Sequence, residues 1–184
     1  MILLQVLKRR MPLWSAADAV FFAAGAVFLL ILFRRLKLRR FQYAAGAALY
    51  IWTFNVLVTT LLMREQAEDY RYDLRIFYQL KVGFTDGNSY ALCELALNFL
   101  MLVPVGLLLP LLLKTRKRFI ISALCGAGLS AFIELTQLFL RLGEFQLDDL
   151  AANSLGAFAG SVLSCCIYIR INRRENLQKV NKTA

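Results

Sequence analysis

Apolar residues in this sequence come in blocks of about 20, each closed by a basic run or a polar turn. A helix needs about 20 apolar residues to cross a ~30 Å hydrocarbon layer, so block length alone sets the class. Five spans are predicted, over about residues 13–33, 43–63, 91–113, 119–140 and 150–169. The expected fold is all-α, a polytopic membrane protein built as a small bundle of about five transmembrane helices in one membrane domain. Composition agrees: 59% of residues are hydrophobic and 18% charged, against roughly 45–50% and 25% in soluble domains. The longest stretch without an apolar block, 64–90, is too short to enclose a core of its own.

The net charge is +10, yet the basic residues sit in runs such as 34–40 and 114–118, directly beside apolar blocks. That distribution orients a chain in a membrane and argues against nucleic acid as a partner. With the basic runs on the cytoplasmic side, the N-terminus, the loop 64–90 and the turn 141–149 face outward; Lys8-Arg9-Arg10 opposes this orientation. A basic run before an apolar segment also describes a signal peptide. The segment is long for that, and 34–40 follows it as a stop, so an uncleaved first helix is expected. The sequence has no histidine, which excludes histidine acid–base chemistry and histidine metal ligation. Cys93, Cys125, Cys165 and Cys166 fall within spans without a C-x-x-C pair and read as small packing residues. No cofactor is expected.

Polar residues inside the spans are the informative ones. Thr53, Asn55, Thr59 and Thr60 in the second span are expected to satisfy themselves on backbone or on a neighbouring helix. Pro104 and Pro110 should interrupt the third span's hydrogen-bond ladder. In the loop, the spacing of Tyr70, Leu74, Phe77 and Lys81 predicts a short amphipathic helix lying in the headgroup region. Thr85-Asp86-Gly87-Asn88 reads as a turn, and the polar tail is expected to be disordered beyond Arg174.

The densest polar content lies in residues 130–160. At 100° per residue, Ser130, Glu134, Gln137 and Arg141 fall on one stripe within about 80°. Asp149, Asn153, Gly156 and Gly160 share another within about 60°. Gly156-x-x-x-Gly160 permits close helix approach, and Glu94 and Asn98 lie one turn apart on the third span. At 1.5 Å per residue, Glu134, Asn98 and Asn153 lie roughly 9, 10 and 5 Å inside helix ends on the same side of the membrane. An ionised group at mid-bilayer costs at least ~2.5–3.5 kcal/mol, whereas interhelical hydrogen bonds average about 0.6 kcal/mol. Hydrogen bonding between helices is therefore modest compensation, and a water-accessible ligand pocket is the expectation. Its candidate residues are Glu94, Asn98, Ser130, Glu134, Gln137, Arg141, Asp148, Asp149 and Asn153, with partners for Glu134 sought in Gln137, Asn98, Asn153 or Arg141. Asp148-Asp149 with Glu134 or Glu94 could also offer oxygen ligands to a divalent cation. Helix capping is the simpler role for that acid pair, so no metal site is assigned.

Three segments carry a family resemblance. Asn98-Phe99-Leu100-Met101-Leu102-Val103-Pro104-Val105-Gly106 resembles the N-x-x-x-F/L-x-P-x-G segment of VanZ-like proteins. Glu134-Leu135-Thr136-Gln137 is similar to their I-E-x-x-Q, and 148–156 to their D-D-x-x-x-N-x-x-G, followed by Gly160. The likeness covers about 74–169. The family's turn commonly reads G-R-x-F-D-[IV]-D-D, whereas 142–149 is L-G-E-F-Q-L-D-D, without the arginine and the first aspartate. The resemblance implies a multi-pass protein of a bacterial plasma membrane, associated with lowered susceptibility to the lipid-tailed glycopeptide teicoplanin. The expected partners are membrane lipids, a lipid-linked cell-wall precursor or a lipoglycopeptide. A non-enzymatic binding role is expected ahead of a lipid-linked phosphate or ester enzyme using Asp148, Asp149 and Glu134, because no nucleophile or phosphate cradle stands out. A small transporter comes third, since no inverted repeat is visible.

Overall fold

The computed structural model describes residues 16–36 and 40–183. The basic run 8–10 and the first residues of the predicted span 13–33 lie outside them. Six helices are present among the described residues: α1 (Ala16–Leu36), α2 (Arg40–Leu57), α3 (Tyr78–Thr85), α4 (Ser89–Leu112), α5 (Arg118–Phe139) and α6 (Leu147–Thr183). A π-helical turn, Val58–Leu62, extends α2. Two short strands, β1 (Arg71–Asp73) and β2 (Glu144–Gln146), pair in parallel with Tyr72 opposite Phe145.

Four helical stretches are long and apolar enough to cross a membrane: Arg40–Leu62, Ser89–Leu112, Arg118–Phe139 and Leu147–Arg170. They correspond to the last four predicted spans within a few residues. α1 occupies the place of the first and leans on α2 through aromatic contacts. Phe22 stacks on Tyr50 at 5.2 Å, and the Tyr50 hydroxyl donates to the Phe22 carbonyl at 2.6 Å. α6 continues through Thr183, so the tail is helical where disorder was expected. Residues 171–183 contain neither glycine nor proline, and nothing in them breaks the helix that the last span begins.

The core is the crossing of α4 with α6. A Cβ built on Gly106 would overlap the Ala157 carbonyl oxygen, one on Gly156 the Phe99 carbonyl, and one on Gly160 the Val103 carbonyl. Backbone therefore meets backbone, the close approach that small residues permit where lipid offers no hydrophobic drive between helices. Leu102, Val105, Ile133, Ala157 and Val56 pack around the crossing. Large apolar side chains such as Leu100, Leu124, Phe132 and Leu155 point outward, as expected of a surface that faces acyl chains.

Proline and helix ends create backbone acceptors that the bundle then fills. Pro110 has no N–H to give the Gly106 carbonyl, and the Ser122 hydroxyl of α5 donates to that carbonyl at 3.2 Å. The Gln42 amide donates to the Leu111 carbonyl, one of the last in α4, at 2.8 Å. Asn55, Thr59 and Thr60 bond to carbonyls one turn back on their own helix, as their composition suggests.

Candidate functional site

The end of α2, the start of α4, the end of α5 and the start of α6 lie at one end of the bundle. Segment 64–88 folds over that end. Residues 70–81 do not form the single amphipathic helix that their spacing predicts. Arg71–Asp73 is a strand, and helix begins only at Tyr78. Pairing of β1 with β2 takes the first half of that segment. Asp73 then turns the chain: its carboxylate accepts the Arg75 backbone N–H at 3.0 Å and grips the Arg75 guanidinium, with Nη2 at 2.6 Å.

Asp148 explains where α3 starts. The N-cap residue of α3, Phe77, makes no side-chain cap and sits in the left-handed region at φ 62°. In its place, the buried Asp148 carboxylate accepts the Phe77 N–H on Oδ1 and the Gln79 N–H on Oδ2, the latter at 2.7 Å. A residue in the first turn of α6 thus caps α3 from across the fold, supplying acceptors to N–H groups that the helix cannot pair itself. The same contact holds Phe77 in a conformation that bulky residues seldom adopt.

Glu134 fastens the other strand. Only 2% exposed, it accepts the Gln146 backbone N–H of β2 at 3.1 Å. The Gln146 side-chain oxygen takes a 2.6 Å hydrogen bond from Gln79 Nε2, which also reaches Asp149 Oδ1 at 3.3 Å. Gln146 Nε2 in turn donates to Glu144 at 3.1 Å. Gln137, also 2% exposed, donates to the Thr60 carbonyl of the π-helical turn at 3.0 Å. Two acids and an amide from the spans therefore tie the cap and the end of α2 to the bundle.

The structure sorts the sequence-derived residues into groups. Asn98, Ser130, Glu134, Gln137, Asp148 and Asn153 are all buried, at the end of the bundle that the depth estimate indicated. Ser130 donates to the Leu150 carbonyl at 3.4 Å, and Asn153 Oδ1 is buried without a hydrogen-bond partner among the described residues. Glu94 and Asp149 are half-buried. Arg141 does not pair with Glu134, which corrects the expectation that one stripe holds both. α5 ends at Phe139, and Arg141 turns away at φ 55°. The Arg141 N–H bonds the Leu138 carbonyl at 3.1 Å and the Leu142 N–H the Gln137 carbonyl at 2.8 Å, a Schellman cap with arginine at the position usually given to glycine. The Arg141 side chain donates to the Glu68 carbonyl at 2.9 Å and sits 5.5 Å from the Tyr70 ring. Glu134 bonds to backbone, and to none of the side chains expected as its partners.

Between cap and bundle lies a half-open cavity of about 190 Å³, lined by Asp73, Arg75, Tyr78, Gln79, Glu144, Gln146 and Asp148. Of these only Asp148 was a candidate from the sequence. The Arg75 guanidinium lies 3.4 Å from the Tyr78 ring centroid. Hydrogen bonds from Arg75 hold the Asp73 carboxyl down to about 2, and the same bonds push the Arg75 guanidinium up from its ordinary value. Gln79 Oε1 is buried and accepts no hydrogen bond among the described residues. Exposed apolar and aromatic residues adjoin the lining residues along the chain: Tyr72 precedes Asp73, Leu74 and Ile76 flank Arg75, and Phe77 precedes Tyr78. Among the described residues no three cysteine, aspartate or glutamate side chains cluster closely enough to hold a metal ion.

A family model described as VanZ/LLP1 matches residues 20–168, well over half of the chain. No curated protein and no solved structure matches it. The chain belongs to the VanZ/LLP1 family and is a membrane protein. The family match begins at residue 20 and so takes in α1 and α2, well before the motifs that carry the resemblance in sequence.

Proposed function

We propose, from membership of the VanZ/LLP1 family, that this is a non-enzymatic protein of the bacterial plasma membrane. It binds the polar head of a membrane lipid or lipid-linked ligand, such as a cell-wall precursor, and thereby alters access of teicoplanin-type glycopeptides to the cell surface. The observation that carries this reading is the cavity between cap and bundle. It is half-open and lined almost wholly by polar side chains, and exposed apolar residues neighbour the lining residues in the cap sequence. Such a place suits an amphiphile whose head enters while its tails stay in lipid. An enzyme using Asp148 as metal ligand or acid–base group is disfavoured, since both oxygens of that carboxylate already accept backbone N–H groups.

Two measurements test the reading. Mass spectrometry of the protein extracted in mild detergent is expected to find one lipid class retained stoichiometrically, and lost on Gln79→Leu. The same lipids at the same level in both proteins would remove the site. Expression in a susceptible host is expected to raise tolerance of teicoplanin and leave vancomycin unchanged. Unchanged susceptibility to both would end the resistance role.

A further inference from the structure

We infer that the end of the bundle opposite the cap holds a net-anionic phospholipid by its phosphate, with Arg118 as the residue that grips it. This surface is separate from the cap cavity and does not depend on it. Hydrogen bonds set the helix ends there side by side. The Gln42 amide of α2 donates to the Leu111 carbonyl of α4, and the Tyr43 hydroxyl of α2 to the Phe33 carbonyl of α1. The Ser161 hydroxyl of α6 donates to the Phe119 carbonyl of α5.

Charge is divided between the two ends. Each acid between residues 64 and 149 lies in the cap, in the turn before α6 or near the cap-side end of a span. Asp18 opens α1, roughly 24 Å along that helix from Arg34. At the opposite end Arg34, Arg35, Arg40, Arg116, Lys117 and Arg170 are exposed, and no carboxylate joins them among the residues whose side chains are described. Like charges gathered in this way repel one another, and each gains about 1 kcal/mol beside an anionic lipid surface.

Arg118 turns that general attraction into a site. It is the first residue of α5, and Tyr168 stands near the end of the α6 span, so both lie at headgroup level. The half-buried Arg118 guanidinium lies 3.9 Å from the Tyr168 ring centroid and 5.1 Å from that of Phe119. Contact with a ring consumes no N–H donor. Among the described residues no acceptor takes a hydrogen bond from this guanidinium. A long side chain is thus ordered before any ligand arrives, and its donor fork is left for the paired oxygens of a phosphate. The surrounding cations repel a choline, which narrows the headgroup to one with net negative charge.

The test uses the full-length Gln79→Leu protein, so that its outcome is independent of the cap cavity. Stripped of lipid, it is incubated with phosphatidylglycerol, with phosphatidylcholine and with water-soluble glycerol phosphate, and retention is read by native mass spectrometry. Phosphatidylglycerol is expected to be retained about tenfold over phosphatidylcholine, with Arg118→Gln bringing the ratio towards one. Arg116→Gln removes the same charge from an exposed neighbour and should change the ratio by less than about twofold. Tyr168→Leu removes the ring and no charge, and should lower the ratio about threefold. The Arg118 side chain makes no hydrogen bond within the described residues, so Arg118→Gln keeps the fold. Equal retention of the two lipids would overturn the inference. Equal losses in Arg118→Gln and Arg116→Gln would overturn it too, by showing attraction spread over the whole basic end. Glycerol phosphate retained as well as phosphatidylglycerol would overturn the lipid as the ligand.

Discussion

The α4–α6 crossing and the cap over the bundle's end are held by opposite means. At the crossing, side chains are absent: Gly106, Gly156 and Gly160 let one helix backbone lie on another. At the cap, side chains reach for backbone: Asp148 takes two N–H groups of α3 and Glu134 one of β2. The first contact is short-range and spread along two rigid helices. The second is a few hydrogen bonds between residues 12 to 71 positions apart. A crossing of this kind fails when atoms are added, and a latch of this kind fails when one acceptor is removed. The bundle should therefore survive changes that release the cap.

The largest effect is expected from Gly156→Ala. Its Cβ meets the Phe99 carbonyl, a backbone atom that cannot swing aside, so α4 and α6 must separate. A loss of about 3 kcal/mol or more is expected, read as a fall in thermal unfolding temperature in detergent, with cap and spans lost together. Loss of the cap alone would break the comparison. Glu134→Leu comes next. It leaves the Gln146 N–H without its acceptor, at a cost of about 2 kcal/mol, and hydrogen exchange should rise at 144–146 while α4 stays protected.

A smaller, local effect is expected with pH. The Asp73 carboxyl is lowered from 3.8 to about 2 in the folded protein. A lowered carboxylate stabilises the fold above its ordinary value and loses that contribution as pH falls through the folded one. The Asp73–Arg75 clasp should therefore be fully closed at pH 5 and open as pH approaches about 2. Exchange within 71–75 measures it, and opening already near pH 4 would contradict the assignment. The smallest effect is expected from Gly128→Ala on α5, where a Cβ meets open space. It should be neutral or stabilising by up to about 1 kcal/mol from helix propensity. Paired with Gly156→Ala, it tests whether contact, rather than glycine itself, sets the cost.

The same contrast explains what the sequence could reveal. Helix-period signals and small-residue stripes are local, so the spans and the Gly156–Gly160 face were legible within a few residues. Depth along a helix set Asn98, Glu134 and Asn153 at one level, but the structure buries all three and none of them lines the cavity. The cap was not legible, because its conformation is set from outside its own segment. Tyr70, Leu74, Phe77 and Lys81 do carry a helical spacing. A strand partner at Glu144–Gln146 and a cap from Asp148 override it. Gln79 and Gln146, which wall the cavity, carry no periodic signal. The one available hint was Gln146 standing where the family's turn carries aspartate. Helix capping is the role the sequence suggests for the Asp148-Asp149 pair at the start of its own helix; Asp148 instead caps α3.

The central claim is that Asp148 holds the cap, and with it the cavity, on an otherwise self-sufficient bundle. Hydrogen exchange at the Phe77 and Gln79 amides, in lipid nanodiscs, compares Asp148→Asn with the wild type. Replacing one acceptor oxygen by an amide should speed exchange there by about tenfold or more, while α4 and α6 remain as protected as before. Unchanged exchange at those two amides, or loss of protection throughout the bundle, would contradict the account.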